Sequence, residues 1–187
     1  MTTTATSRLP VPATVAETPA ASQPLLAAVE KQLGSVPNLF RLLGSSPAAI
    51  EGYLGLGGAL GKGKLDVRTR NRLAMVVAEV NGCDYCLSAH TALGKSVARL
   101  TDEELTANRD GASSDVKAAA ALRFARQVVL ARGHVSDAEV AAVQAAGYSP
   151  AEVLEIVLHV ALNTLTNYVN TVARTAIDFP VVTAGQR

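Results

Sequence analysis

Tryptophan is absent from this 187-residue chain, and aromatic residues make up only 4% of it. That leaves no stacking platform for single-stranded nucleic acid or sugars. Charge of one sign is missing too: seventeen Lys+Arg stand against sixteen Asp+Glu, a net charge of +1, with no basic block. Phosphate-backbone binding lacks its electrostatic footprint, which argues against nucleic acid as a partner. Cysteine occurs only at Cys83 and Cys86. No disulfide framework could staple a secreted fold, and so close a pair points to local chemistry in a reducing cytoplasm. No Gly-x-Ser-x-Gly elbow and no His-Glu-x-x-His pair occurs, which removes the commonest serine-hydrolase and zinc-protease signatures.

Hydrophobic residues reach 49% against 18% charged. A chain of this size and apolarity buries one substantial core. Residues 1–24, rich in Thr, Ala, Pro and Ser, lack the basic start and apolar run of a secretory signal and read as a flexible arm. Residues 25–187 read as a single domain. Ile156 to Ala173 carry no Asp, Glu, Lys or Arg, but His159, Asn163, Thr166, Asn167 and Asn170 interrupt them. A buried or subunit-contacting helix fits better than a membrane span.

Apolar residues recur at three- and four-residue spacing almost everywhere after Pro24, and period-two alternation is nearly absent, so the chain reads as all-α. The spacing predicts helices over Gln23–Leu33, Asn38–Leu43, Pro47–Leu60, Val67–Val80, Cys83–Leu93, Asp102–Ala107, Ser114–Arg132, Asp137–Ala146 and Pro150–Ile177. Start signals support them: Ser46 before Pro47, Asp66 before Val67, and three Ser/Thr-x-x-Glu capping boxes at Thr101/Glu104, Ser136/Glu139 and Ser149/Glu152. Gly58-x-x-x-x-Gly63-Lys64 reproduces most of a phosphate loop, but Leu65 replaces the required Ser/Thr and no strand precedes it. A close-packed glycine turn is the better reading.

The chemistry concentrates in Glu79-Val-Asn-Gly-Cys83-Asp-Tyr-Cys86-Leu-Ser-Ala-His90. On a helix opened by Cys83, the side chains of Cys83, Cys86 and His90 lie three and four residues apart and share one face. A thiolate rather than a thiol is the nucleophile, and a helix N-terminus favours it. His90, one turn beyond Cys86, can take its proton or stand beside it as an imidazolium. This predicts that Cys86 attacks and Cys83 resolves, forming a disulfide that an external dithiol re-reduces. The opposite order, with the helix-start cysteine attacking, stays open. At about 100° per residue, Glu79 falls in the same arc and is expected to orient or deprotonate His90, although Asn81-Gly82 interrupts the helix. Asp84 is expected to favour the helix N-terminus, Tyr85 to pack, His159 to be a hydrogen-bonded core or interface histidine, and His134 to be solvated. A structural zinc would need four ligands where Cys83, Cys86 and His90 offer three, so no metal or cofactor is expected.

These residues resemble the carboxymuconolactone decarboxylase-like superfamily, and within it the alkylhydroperoxidase AhpD-like, peroxidase-related proteins. The resemblance runs through Val36-Pro-Asn-Leu-Phe40, Gly58 to Asp66, Glu79 to Gly94, and Leu162-Asn163 through Asn167-Tyr168 to Pro180. Its most specific part is Asn81-Gly-Cys83-x-x-Cys86-x-x-x-His90. It implies an all-α fold, homo-oligomers built as trimers or hexamers, and reduction of hydroperoxides by thiols without metal or haem. The second cysteine, Cys86, then attacks the peroxide, and a dithiol, thioredoxin-like or lipoyl reductant restores the pair. One departure stands out: Asn71 occupies the position twelve residues before Cys83 where the family carries a relay glutamate, so that relay is rerouted through Glu79 or impaired. Two other outcomes are a muconolactone-type lyase, which has no need of the cysteine pair, and a non-catalytic redox sensor.

Overall fold

The computed structural model describes residues 7–186. Nine α-helices follow a short 3₁₀ turn at Val15–Glu17, with no strand among the described residues: α1 Gln23–Leu33, α2 Asn38–Gly44, α3 Pro47–Gly61, α4 Val67–Val80, α5 Asp84–Ser96, α6 Asp102–Arg109, α7 Val116–Leu130, α8 Asp137–Ala145 and α9 Pro150–Ala173. The all-α expectation holds. Side-chain caps set most starts: Ser46, Asp66 and Asp115 accept the backbone N–H three residues on, and complete capping boxes form at Ser136/Glu139 and Ser149/Glu152.

The third expected box is only half formed. Thr101 accepts from the Glu104 N–H at 3.2 Å, but the Glu104 carboxylate turns inward instead of reaching back. It meets Arg72 Nε at 2.8 Å, Asn108 Nδ2 at 3.1 Å, the Ser114 N–H and hydroxyl at 3.0 and 2.7 Å, and the Ser113 hydroxyl. A buried guanidinium needs an anionic partner more than an exposed cap needs a second bond. Burial alone raises the Glu104 pKa, yet the hydrogen bonds from Ser113, Ser114 and Asn108 outweigh it and hold the carboxyl down at about 2.

Helix α4 is the centre of the molecule, packed by α5, α6, α7 and α9. Its stretch from Leu73 to Ala78 is apolar on every side and wholly buried, as such enclosure demands. Met75 and Ala78 enter one core with Leu26, Ile50, Tyr85 and Leu87, while Leu73, Val76 and Val77 enter another with Leu122, Val143 and Ile156. Near its start, the suspected phosphate loop proves to be an internal clasp. The Lys64 and Leu65 N–H groups donate to the Glu155 carboxylate, at 2.8 and 3.1 Å for the nearer oxygen. A Cβ at Gly63 would stand 2.6 Å from that oxygen, so a side chain there would displace the carboxylate from its two N–H donors.

Helix α9 turns its polarity inward. His159, Asn163, Thr166, Asn167 and Asn170 are buried within the chain, whereas Leu154, Leu158, Leu165, Tyr168 and Val172 are exposed. The amides therefore need no second subunit to cover them: Asn81 Nδ2 donates to Asn167 Oδ1 at 2.8 Å, and Asn163 Nδ2 to the His159 carbonyl at 2.7 Å. Of the arm expected over residues 1–24, residues 1–6 lie outside the described residues. The remainder is tied to the body, with the Arg8 N–H donating to the Ala173 carbonyl at 2.7 Å, and Thr18 and Ser22 buried. No helix among the described residues is long and apolar enough to cross a membrane.

Candidate active site

The two cysteines owe their position to the turn between α4 and α5. Gly82 adopts φ +66°, its N–H donates to the Glu79 carbonyl at 3.1 Å, and the Cys83 N–H reaches back to the Ala78 carbonyl at 2.9 Å. This is a left-handed helix stop that a side chain at Gly82 would strain. The chain leaves it with Cys83 as N-cap of α5, and Cys83 Sγ accepts the Cys86 N–H at 3.3 Å. The pair is joined as a disulfide with a Cα–Cα distance of 5.3 Å. Both cysteines are almost wholly buried, at 2% and 3% exposure.

Their surroundings differ. Cys83 borders an open cleft of about 720 Å³ formed with Asn170, Arg174, Thr175 and Arg8. Cys86 lies deeper, and its Sγ receives the Asn170 Nδ2–H at 3.3 Å. Asn170 was missed in the sequence, although Asn163, Asn167 and Asn170 at helical spacing in an uncharged helix already marked a polar inner face.

His90 is half-buried and lines a second cleft of about 550 Å³ further along α5, with Asn71, Arg70, Tyr53, His159 and Leu162. Its imidazole makes no hydrogen bond to either sulfur among the described residues. Burial pushes its pKa down to about 4, so His90 is neutral near pH 7. It is therefore not a standing imidazolium beside the thiol. Asn71, at the relay position, donates through Nδ2 to the His90 carbonyl at 3.1 Å and accepts no proton.

Glu79 does not meet His90. Its carboxylate accepts Arg109 Nε at 2.8 Å and the Gly185 N–H at 2.9 Å. It thereby anchors a C-terminal segment that also accepts Arg109 NH2 at the Thr183 carbonyl and closes on α5 through Ser88 and Asp84. A carboxylate just before α5 was legible in the sequence; its partner was not, because Arg109 is thirty residues away. Asp84 stands in the first turn of α5 as expected, with Oδ1 accepting the Ala184 N–H at 2.8 Å. Tyr85 packs edge-on against Phe179, and its hydroxyl accepts the Leu39 N–H. His134 is exposed, as expected. His159 departs from expectation: it is 5% exposed, yet its Nε2 has no hydrogen-bond partner, and burial lowers its pKa to about 4. No cluster of three or more metal-ligating side chains occurs among the described residues.

The all-α bundle with a cysteine pair at the start of α5 is an AhpD-like fold. The carboxymuconolactone decarboxylase family model matches residues 47–131, spanning α3 to the end of α7. The fold is similar over 92% of both chains to an AhpD-core, peroxidase-related protein from Ralstonia eutropha JMP134, with 25% identity and a TM-score of 0.81. It is similar over 94% of both chains to a peroxidase-related protein from Silicibacter sp. TM1040, with 22% identity and a TM-score of 0.79. A cysteine-to-alanine variant of the debrominase Bmp8, in complex with 2,3,4-tribromopyrrole, shares the fold at 20% identity and a TM-score of 0.77, over 92% of this chain and 94% of that one. A search of the curated proteins finds no match. The chain is thus similar to the carboxymuconolactone decarboxylase family over residues 47–131, and its fold is AhpD-like. A peroxidase-related or carboxymuconolactone-decarboxylase-type function goes with that fold.

Proposed function

We propose that the protein is a thiol peroxidase that reduces hydroperoxides through Cys86 and Cys83. The observation that carries this reading is the cysteine pair joined across the first turn of α5, with Cys83 Sγ as N-cap and Cys86 Sγ held by the Asn170 amide. In the reduced protein, the Cys86 thiolate attacks the distal oxygen of the hydroperoxide and the O–O bond breaks. The departing oxygen takes a proton and leaves as the alcohol, and Cys86 becomes a sulfenic acid. Neutral His90, one turn along α5, is the group that carries the thiol proton to the leaving oxygen. The Cys83 thiol then attacks the Cys86 sulfur, the disulfide forms and water leaves. An external dithiol returns two electrons and two protons. Glu79 is a positioning residue in this scheme, holding the end of α4 and the C-terminal segment through Arg109 and Gly185. The exposed stripe Leu154, Leu158, Leu165, Tyr168 and Val172 supports the homo-oligomer.

Steady-state assay of the wild-type protein with a hydroperoxide and excess dithiol tests the reading. Peroxide loss many times the protein concentration is expected. Consumption of a single equivalent, with the disulfide formed but no turnover, would make the protein a redox sensor.

A second reading is favoured by the cleft of His90 and His159, whose walls are largely apolar. An aromatic halide that enters by this cleft and reaches the reduced Cys83–Cys86 pair would be dehalogenated by its two electrons, giving the arene, the disulfide and hydrogen halide, in line with the debrominase likeness. Bromide release by the reduced protein separates it from the first.

A further inference from the structure

The cleft beside Cys83 has features that attack on peroxide does not use. Arg8 and Arg174 both line it, and among the described residues neither guanidinium forms an ion pair. Two polar side chains more than nine-tenths buried also line it with atoms left unpartnered: Asn170, through Oδ1, and Thr175, through Oγ1. Buried polar atoms without partners are rare and call for an explanation. The one acid on the lining, Asp84, has Oδ1 engaged by the Ala184 N–H. The cleft thus carries an excess of positive charge, and Cys83 borders it.

We infer that this cleft receives an anionic low-molecular-weight thiol reductant, whose carboxylate is drawn in by Arg8 and Arg174 while its sulfur meets Cys83. The inference rests on the reading that the cysteine pair cycles. The step is a thiol–disulfide exchange. A thiolate of the reductant attacks Cys83 Sγ, the Cys83–Cys86 bond breaks, and Cys86 leaves as a thiolate that then takes a proton. Asn170 Nδ2–H, 3.3 Å from Cys86 Sγ, already points at that leaving sulfur and favours its charge. The second thiol of the reductant then attacks the mixed disulfide, freeing Cys83 as a thiol and releasing the reductant as its own cyclic disulfide. The two sulfurs divide the work: Cys83 faces the reductant, and Cys86 faces the peroxide.

Dihydrolipoate and dihydrolipoamide test this directly, because they carry the same dithiol and differ only in a carboxylate against a neutral amide. The readout is the rate at which each reduces the oxidised full-length protein, followed by alkylation of the released thiols. Dihydrolipoate is expected to react about tenfold faster at low ionic strength, with the advantage shrinking as salt is raised past about 0.1 M. Arg8→Gln together with Arg174→Gln should abolish that advantage and leave the dihydrolipoamide rate unchanged. Arg8→Glu with Arg174→Glu should reverse the preference. Equal rates with the wild-type protein, or equal slowing of both reductants by the glutamine pair, would overturn the inference while leaving the redox cycle intact. Reduction by neither dithiol would remove the cycle itself, and the inference with it.

Discussion

Replacing Cys86 by Ser lowers steady-state peroxide consumption at least about a thousandfold, because a hydroxyl in its place is not ionised near neutral pH and cannot displace the peroxide oxygen. Cys83→Ser gives a different failure. Cys86 in that variant still reacts once, and it stops as a sulfenic acid that no neighbouring thiol can condense with. One equivalent of peroxide is lost, and a sulfenic-acid trap such as dimedone labels Cys86. The asymmetry follows from the site: Asn170 Nδ2 donates to Cys86 Sγ, while Cys83 Sγ serves as the N-cap of α5. Full activity in Cys86→Ser with loss in Cys83→Ser would reverse the order of the two thiols.

Glu104→Ala destabilises the fold by about 3–5 kcal/mol, the range for removing one partner of a buried ion pair. For a chain of this size that is a fall of roughly 6–20 °C in Tm. Arg72 is 5% exposed at its side chain, and Glu104 is its close partner; the other acid nearby, Asp115, is exposed and 3.5 Å away. The same carboxylate carries a pH signature. Its folded pKa of about 2 lies below the ordinary 4.5, so the unfolded chain binds the extra proton between the two. The stabilisation is complete above pH 4.5 and is lost as the pH falls toward 2. Glu104→Gln removes that contribution to acid lability, and calorimetry across the range measures it. A change below about 1 kcal/mol in Glu104→Ala would show that the cluster of Arg72, Ser113 and Ser114 closes without the charge.

Much of this was legible in the sequence where the signal is local. Helices α1 and α4 run between the residues that the apolar spacing predicts, because Asp66 caps one and Gly34 and Gly82 stop both within a single turn. The end of α9 was not legible. Ile177 continues the apolar spacing, but Arg174 takes a left-handed conformation at φ 51° and the helix stops at Ala173, in a stretch that holds neither glycine nor proline before Pro180. Helix α7 starts at Val116 rather than Ser114 because Ser113 and Ser114 are drawn to Glu104 and Asp115 takes the cap. In the site, the placing of Cys83 and Cys86 in the first turn of one helix could be read from their spacing. The partners that tune them could not: Asn170 lies 84 residues from Cys86, and Arg109 claims Glu79 only because α4 and α6 pack together.

The central claim is that the Cys83–Cys86 pair is an activated redox centre, and rapid oxidation of the reduced protein tests it most directly. Stopped-flow mixing with hydrogen peroxide and with an organic hydroperoxide, across about pH 5 to 9, would be followed by counting free thiols before and after. The account predicts rapid loss of both thiols per chain, with an inflection below the value of about 8.5 for an ordinary cysteine. Oxidation at the rate of a free thiol, with an inflection at or above that value, would contradict it.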